Sequence, residues 1–164
     1  MTSLAEVSSA TPQRDPLGFL IVDAARLMRA AFEQRIAEAG LGLTAGEARA
    51  LINIADLEGN RQLDIATRMG VEPMTLCAYL DKLQALGLIE RHKCSADRRA
   101  KRIILTPASD DMLRRIRAEF ETIVAQATSG MPDTERRNLA VSLAKLNKNL
   151  QASLPPSSGS NESR

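Results

Sequence analysis

The chain has 164 residues, which fits one domain with short appendages, and its formal charge of +2 does not by itself indicate a nucleic-acid partner. One histidine and two cysteines without a C-x-x-C pair argue against a bound metal. The chain also lacks a glycine-rich phosphate loop and an H-E-x-x-H motif. We therefore predict no cofactor and no enzymatic activity, and we expect local clusters of charge to carry the functional signal.

The N-terminal region combines a polar segment with a long amphipathic one. Residues 1–14 are mostly small and polar, without the apolar core of a signal peptide, and we expect a flexible arm. No stretch approaches the length of a membrane span, so we expect no membrane partner and a reduced protein of the cytoplasm, associated with the nucleoid. Over residues 15–39 apolar side chains recur at helical spacing, which predicts a first helix.

Two shorter helices are predicted next. Thr44 followed by Glu47 is a capping box, which begins the second helix. Asn60 is a suitable N-cap for a third helix over residues 61–69, and Gly70 is suited to end it. The apolar side of this third helix is predicted to comprise Leu63, Ile65, Ala66 and Met69.

Pro73 fits the first turn of a fourth helix, because a first-turn residue needs no backbone N–H. Two helices joined by a glycine-containing turn form a helix-turn-helix, whose second helix enters the major groove of DNA. We predict that one face of this helix packs inward, through Leu76, Leu80 and Leu83. The opposite face would then present Met74, Thr75, Ala78 and Lys82.

A strongly cationic hairpin is predicted after Gly87. Residues 88–93 and 102–106 have the composition of two strands, and the segment between them is too polar to be buried. From Arg91 to Arg102 there is one acidic residue, Asp97, against six cations, namely Arg91, Lys93, Arg98, Arg99, Lys101 and Arg102. Such a turn must be solvated or paired with an anion, and DNA phosphates or a narrow minor groove would supply one.

Two more helices are predicted at the C-terminal end. Thr106 can cap a helix that continues to about residue 128, and Asp133 can cap the last one. The last helix carries a narrow leucine seam, typical of a helix–helix contact, formed by Leu139, Leu143, Leu146 and Leu150. Residues 151–164 have the composition of a disordered tail. The prediction is thus a mainly α fold with a small β-hairpin, in the order α-α-α-α-β-β-α-α. The apolar stripes at both chain ends predict a homodimer.

The runs LTAGEARALINI and CSADRRAKRIILT, together with the helix-turn-helix, resemble the MarR family of winged-helix transcriptional regulators. The second run is most similar to the SlyA-like branch. The resemblance covers roughly residues 16–150 and implies a MarR-type domain over 15–150. Its winged core would span about 44–106, and its dimerisation helices about 15–39 and 107–150. The resemblance also implies a two-fold dimer that reads a pseudo-palindromic DNA site. The predicted dimer interface comprises Leu17, Leu20, Leu139, Leu143, Leu146 and Leu150.

For DNA binding, the strongest candidate is Arg98, inserted into the minor groove from the hairpin tip. Arg99 either braces the tip through Asp97 or contacts phosphate, and Asn60 either caps its helix or contacts phosphate. The full predicted set is Arg98, Arg99, Lys101, Arg102, Arg91, Lys93, Thr75, Lys82, Asn60 and Gln62.

Ala78 departs from the pattern of SlyA-like relatives, which tend to carry an arginine aimed at bases there. Alanine can offer only a methyl contact to thymine. A nonspecific architectural or anti-silencing DNA-binding protein therefore stays open, as does a protein-binding winged helix with a solvated hairpin.

The resemblance implies a pocket for small aromatic acids such as salicylate, which often release DNA in the family. The residues predicted to line it are Leu27, Met28, Ala48, Ile52, Met112 and Ile116, and an ordinary apolar core is the alternative for each. Cys77 and Cys94 are interpreted as plain small residues in preference to a redox switch.

Overall fold

The structure is a computed structural model that describes residues 16–57, 61–93 and 101–154. Six helices and two strands follow one another in the predicted order. Their bounds are α1 Leu17–Glu38, α2 Ala45–Asp56, α3 Gln62–Met69, α4 Pro73–Ala85, β1 Ile89–Lys93, β2 Lys101–Leu105, α5 Ser109–Ala127 and α6 Asp133–Ser153. The predicted fold class is confirmed. The N-terminal arm, Asn60, Cys94, Arg98 and Arg99 lie outside the described residues, as does the segment from residue 155 onward.

The core is formed by α2, α3, α4 and the base of the hairpin, together with buried residues of α1 and α5. The predicted inward face of α4 is confirmed, because Leu76, Leu80 and Leu83 are fully buried. Ile103 of β2 and Leu51 of α2 are equally inaccessible to solvent. Burial of these branched side chains is the main stabilising contribution to this part of the fold, and it fixes α4 against the hairpin.

Local capping explains where two of these helices begin and end. The Glu47 backbone N–H donates to Thr44 Oγ1 at 3.2 Å, and the Thr44 N–H donates to Glu47 Oε2 at 2.7 Å, so the predicted capping box is confirmed. Gly70 has φ 64° and ends α3 in the left-handed region that glycine tolerates best. Pro73 is the first residue of α4, as predicted.

Three helix starts and one side chain differ from the prediction. The N-cap of α6 is Pro132, and Asp133, which was predicted as the cap, is the first residue of that helix. The N-cap of α3 is Arg61 and not Asn60, because the Arg61 backbone is extended and pairs with Arg102. The helix α5 begins at Ser109, since the Thr106 hydroxyl donates to the Gly87 carbonyl at 2.6 Å and does not cap the helix. The side chain of Leu63, predicted to face the core, is 52% exposed.

The terminal helices are only partly covered. In α1 the buried residues are Phe32 and Ile36, near its C-terminal end, and α6 has none. The helices α1 and α5 are joined by an edge-to-face contact between Phe32 and Phe120, with ring centroids 6.2 Å apart. The helix α6 continues to Ser153, past residue 150, where the tail was predicted to begin. None of the helices in the described part of the chain is long and apolar enough to span a bilayer.

Candidate nucleic-acid interface

The exposed side of α4 combines apolar, hydroxyl and charged side chains. Met74, Thr75, Ala78 and Lys82 are all exposed, as predicted, and Met74 is 81% exposed. The helix begins at Pro73, and its buried leucines all lie on the opposite side, so this face is accessible to solvent along the helix. Thr75 can donate to a phosphate or a base edge, and Lys82 can reach a phosphate. The guanidinium and amide groups that read bases by paired hydrogen bonds do not occur on this face.

The hairpin register places two cations directly opposite each other. Lys93 of β1 pairs with Lys101 of β2, and both side chains are exposed. Directly opposed like charges destabilise an antiparallel pair unless an anion lies between or near them. A phosphate group would relieve this repulsion. The sequence predicted both lysines as phosphate contacts, and the structure brings them together.

Arg102 lies on the other face of the hairpin, opposite His92. Its backbone pairs with that of Arg61, immediately before α3, so two exposed guanidinium side chains come from neighbouring backbone positions. The sequence analysis missed Arg61, because only the pairing between distant segments brings it to the hairpin. The cationic surface therefore extends from β2 to the start of α3.

Arg91 occupies a different environment from the other hairpin cations. Its Nη2 donates to Asp81 Oδ1 at 2.6 Å, and its side chain is only 15% exposed. Arg91 was predicted as a DNA-binding cation, either through a phosphate contact or as screening charge, and the structure turns its guanidinium toward α4. Gln62 is likewise engaged, since its Nε2 lies 2.7 Å from Cys77 Sγ and donates to it. Arg91 connects β1 to α4, and Gln62 connects α3 to α4.

A small cavity between α1, α2 and α5 differs in part from the predicted ligand pocket. Its volume is about 290 Å³, and it is lined by Met28, Arg29, Phe32, Arg49, Ile52, Asn53 and Phe120. Of the predicted lining, Met28 and Ile52 are present. Ala48 and Ile116 are fully buried in the core, Met112 packs against that core, and Leu27 faces a neighbouring groove.

Most of the cavity surface is apolar, and the lining residues also include Arg29, Arg49 and Asn53. The sequence analysis missed Arg29 and Arg49, because helical periodicity assigns arginine to a solvent face and does not show which arginines border a cavity. The Arg49 Nη2 also donates to the Met69 carbonyl at 3.3 Å, which connects the cavity wall to the end of α3. An anionic aromatic molecule would complement this lining.

A larger apolar groove of about 1090 Å³ separates α6 from α1 and α5. Leu27 of α1, Ile123 of α5, and Leu139 and Leu143 of α6 contribute to its walls. Other apolar side chains nearby are exposed, including Phe19 at 70% and Val141 at 69%. The predicted interface residues Leu17, Leu20, Leu139, Leu143 and Leu150 are also more than one-third exposed, whereas Leu146 is half-buried.

A helix-turn-helix followed by an antiparallel hairpin defines the winged helix-turn-helix class. Residues 43–101 match the MarR family. A MarR-family transcriptional regulator from Silicibacter pomeroyi has 27% identity and a TM-score of 0.71, over 87% of this chain and 92% of that one. A MarR transcriptional regulator from Methanosarcina mazei Go1 has 20% identity and a TM-score of 0.74, over 84% and 98%.

A third similar structure is that of BpsR from Bordetella bronchiseptica, at 23% identity and a TM-score of 0.66, over 81% of this chain and 99% of that one. Its title concerns regulation of DNA binding by 6-hydroxynicotinic acid. The chain thus has the winged-helix fold of MarR-family transcription regulators, and residues 43–101 carry that family's sequence pattern. MarR-family proteins are DNA-binding regulators and not enzymes.

Because Lys93 and Lys101 lie opposite each other, replacing one of them by an acidic residue should stabilise the fold and weaken DNA binding. Lys101→Glu would replace a like-charge pair by an ion pair with Lys93, and should raise the free energy of unfolding by up to about 0.5 kcal/mol. The same change should weaken binding to duplex DNA. Urea denaturation and fluorescence anisotropy measure the two effects, with Lys101→Gln as the neutral control. A glutamate variant that binds DNA as tightly as the glutamine variant would contradict the phosphate role.

Proposed function

We propose that this protein is a homodimeric, sequence-specific DNA-binding transcriptional regulator of the SlyA-like branch of the MarR family. The helix α4 lies in the major groove of a pseudo-palindromic site, and the basic hairpin, including Arg98 and Arg99, lies along the minor groove. We place the protein in the cytoplasm, associated with the nucleoid. A small aromatic acid lowers its DNA affinity.

The observation that carries this proposal is the joint exposure of the α4 face and the hairpin cations. Thr75, Ala78 and Lys82 face solvent on the helix, while Lys93 and Lys101 face solvent on the strands that pack beside it. If the hairpin were only solvated, nothing would offset the repulsion between Lys93 and Lys101. A duplex offers phosphates to the hairpin and a groove of suitable width to the helix.

The composition of the α4 face supports a particular kind of target. Met74, Thr75 and Ala78 present methyl groups and one hydroxyl, and the apolar partner available in the major groove is the thymine C5-methyl. Arginine at the hairpin is favoured where an A-tract narrows the minor groove. We therefore expect A·T-rich half-sites, with much of the selectivity coming from DNA shape.

The uncovered apolar surface supports dimerisation through the terminal helices. A second copy seated against α6 and the N-terminal half of α1 would cover the seam that includes Leu139, Leu143 and Leu150. Contiguous exposed apolar surface of this kind marks an association site in a protein that stays in solution. Two winged-helix units related by a two-fold axis then read half-sites about one helical turn apart.

The cavity lining supports an aromatic acid as the effector. Phe32 and Phe120 would contact a ring, and Arg29 and Arg49 would bind a carboxylate. BpsR, whose title names 6-hydroxynicotinic acid, gives a precedent for this ligand class on the same fold.

The second candidate is a nonspecific architectural or anti-silencing DNA-binding protein. It is favoured by the same α4 face, because Ala78 and its neighbours carry no base-reading guanidinium or amide. The two functions differ in selectivity: a regulator should bind its site about 10³-fold or more tighter than random DNA. Selection of duplexes from a randomised library, followed by competition with random DNA, measures that ratio. A ratio near one would favour the architectural protein.

Arg98→Ala tests the contribution of the hairpin tip. We expect a loss of affinity of about tenfold or more for the selected duplex, because a cation in the minor groove is removed. The slope of log affinity against log salt should also fall by about one. Arg114→Ala on α5 is the matched control, and circular dichroism checks the fold. Unchanged affinity in the Arg98 variant would refute the role of the tip.

Leu143→Arg tests the dimer. A charge in the middle of the leucine seam should give monomers or unfolded chains, because it cannot be buried without a partner. Ala144→Arg introduces the same group on the other side of α6 and should leave the dimer intact. Sedimentation velocity gives the assembly state of both. A dimer of ordinary stability in the Leu143 variant would place the interface elsewhere.

Titration with salicylate tests the effector. Salicylate should release the selected duplex, whereas salicylamide, which lacks the carboxylate, should act far more weakly. Arg29→Gln should weaken the response by about tenfold, because it removes a charge-assisted hydrogen bond to the acid. Arg26→Gln, on the same helix but outside the cavity, is the control. Equal responses in the two variants would exclude this cavity as the site.

A further inference from the structure

The side chain of Arg91 connects the hairpin to α4. Arg91 lies on β1, and its Nη2 donates to Asp81 Oδ1 at 2.6 Å and to the Cys77 carbonyl oxygen at 3.4 Å, both on α4. Its Nε is buried and finds no acceptor within the described part of the chain. The contacts of Nη2 with Asp81 and the Cys77 carbonyl therefore hold the guanidinium against α4, away from solvent.

The position of Arg91 within the hairpin places this contact between the buried base and the exposed cationic end. Arg91 is paired with Ile103, which is fully buried, and the next pair on the same face is Lys93 with Lys101. Arg91 thus lies between the part of the hairpin that is anchored in the core and the part that presents cations. A contact at this point is well placed to set the angle at which the exposed end leaves the domain.

The negative charge of Asp81 is unfavourable on a helix that binds DNA, because DNA phosphates are also negative. Its side chain is 69% exposed, and it stands beside Lys82 on the helix that faces the major groove. A negative charge there repels phosphates, so charge alone would favour its removal. Its ion pair with Arg91 supplies a reason for its presence.

We propose that Arg91 and Asp81 are positioning residues: their ion pair sets the orientation of the hairpin relative to α4, so that both can engage one duplex together. Arg91 does not bind phosphate itself. This inference rests on the proposed DNA binding and adds to it the way in which two separate reading elements are kept in register.

Neutralisation of Asp81 separates positioning from simple charge. If the pair positions the hairpin, Asp81→Asn should weaken binding to the selected duplex by about tenfold, within the range of coupled contacts in one network. If only charge matters, the same change should tighten binding. Asp111→Asn on α5, whose partner Arg114 lies 2.8 Å away, is the matched control and should leave affinity unchanged.

Substitutions of Arg91 provide the second arm. Arg91→Lys should bind more tightly than Arg91→Gln, because its ammonium, although one bond shorter in reach than Nη2, keeps a positive charge beside Asp81. Arg91→Gln should bind like Asp81→Asn, and the double variant should be no weaker than either alone. On random duplex, the salt slope of Arg91→Gln should equal that of the wild type. A slope lower by about one would identify Arg91 as a phosphate contact and overturn the proposal.

Footprinting gives a readout that a loss of folding would not mimic. In Asp81→Asn, we expect hydroxyl-radical protection of the minor groove under the hairpin to be lost while major-groove protection under α4 is retained. Tighter or unchanged binding by Asp81→Asn would overturn the inference. If that variant fails to fold, the comparison of Arg91→Lys with Arg91→Gln decides the matter. A wild-type protein that ignores duplex DNA at low salt would instead refute the proposed function.

Discussion

The hairpin can extend its cations into solvent because its base is apolar and buried. Ile89 and Ile103 enter the core beside the leucines of α4, so one end of each strand is anchored by the hydrophobic effect. The other end carries Lys93 and Lys101, which are exposed. The geometry of the reading surface therefore depends on apolar packing that never meets a ligand. The Arg91–Asp81 pair refines the angle of a hairpin that this core already holds.

The chain exposes two kinds of surface that are costly in water, one cationic and one apolar. The cationic surface favours an anionic partner, and the apolar surface favours another apolar surface. Opposed lysines raise the free energy of the unbound hairpin, and an anionic polymer lowers it. Exposed leucines on α6 and aromatic and aliphatic groups on α1 cost solvation, and apolar contact with a like surface relieves that cost. Under the proposed function, a dimer bound to DNA relieves both of these costs.

The helix α2 lies between the cavity lined by Met28 and Phe32 and the helix-turn-helix. Ala48, Leu51 and Ile54 pack into the core, while Arg49 and Ile52 border the cavity, so adjacent residues of one helix serve both regions. Arg49 also donates to the last carbonyl of α3. A ligand that engaged this guanidinium would compete with a contact that holds the helix-turn-helix. Because protein interiors are closely packed, a small displacement of α2 or α3 would be transmitted to α4.

The sequence by itself determined the order of the elements, the inward face of α4, the capping box at Thr44 and the cationic character of the hairpin. These follow from local rules: side-chain periodicity, capping chemistry and the conformational freedom of Gly70. It did not determine that Arg91 turns toward Asp81, that Arg61 joins Arg102, or that Arg29 and Arg49 border a cavity. Those facts depend on contacts between segments far apart in the chain. Periodicity tells which face a residue occupies, and only the packed structure decides what that face meets.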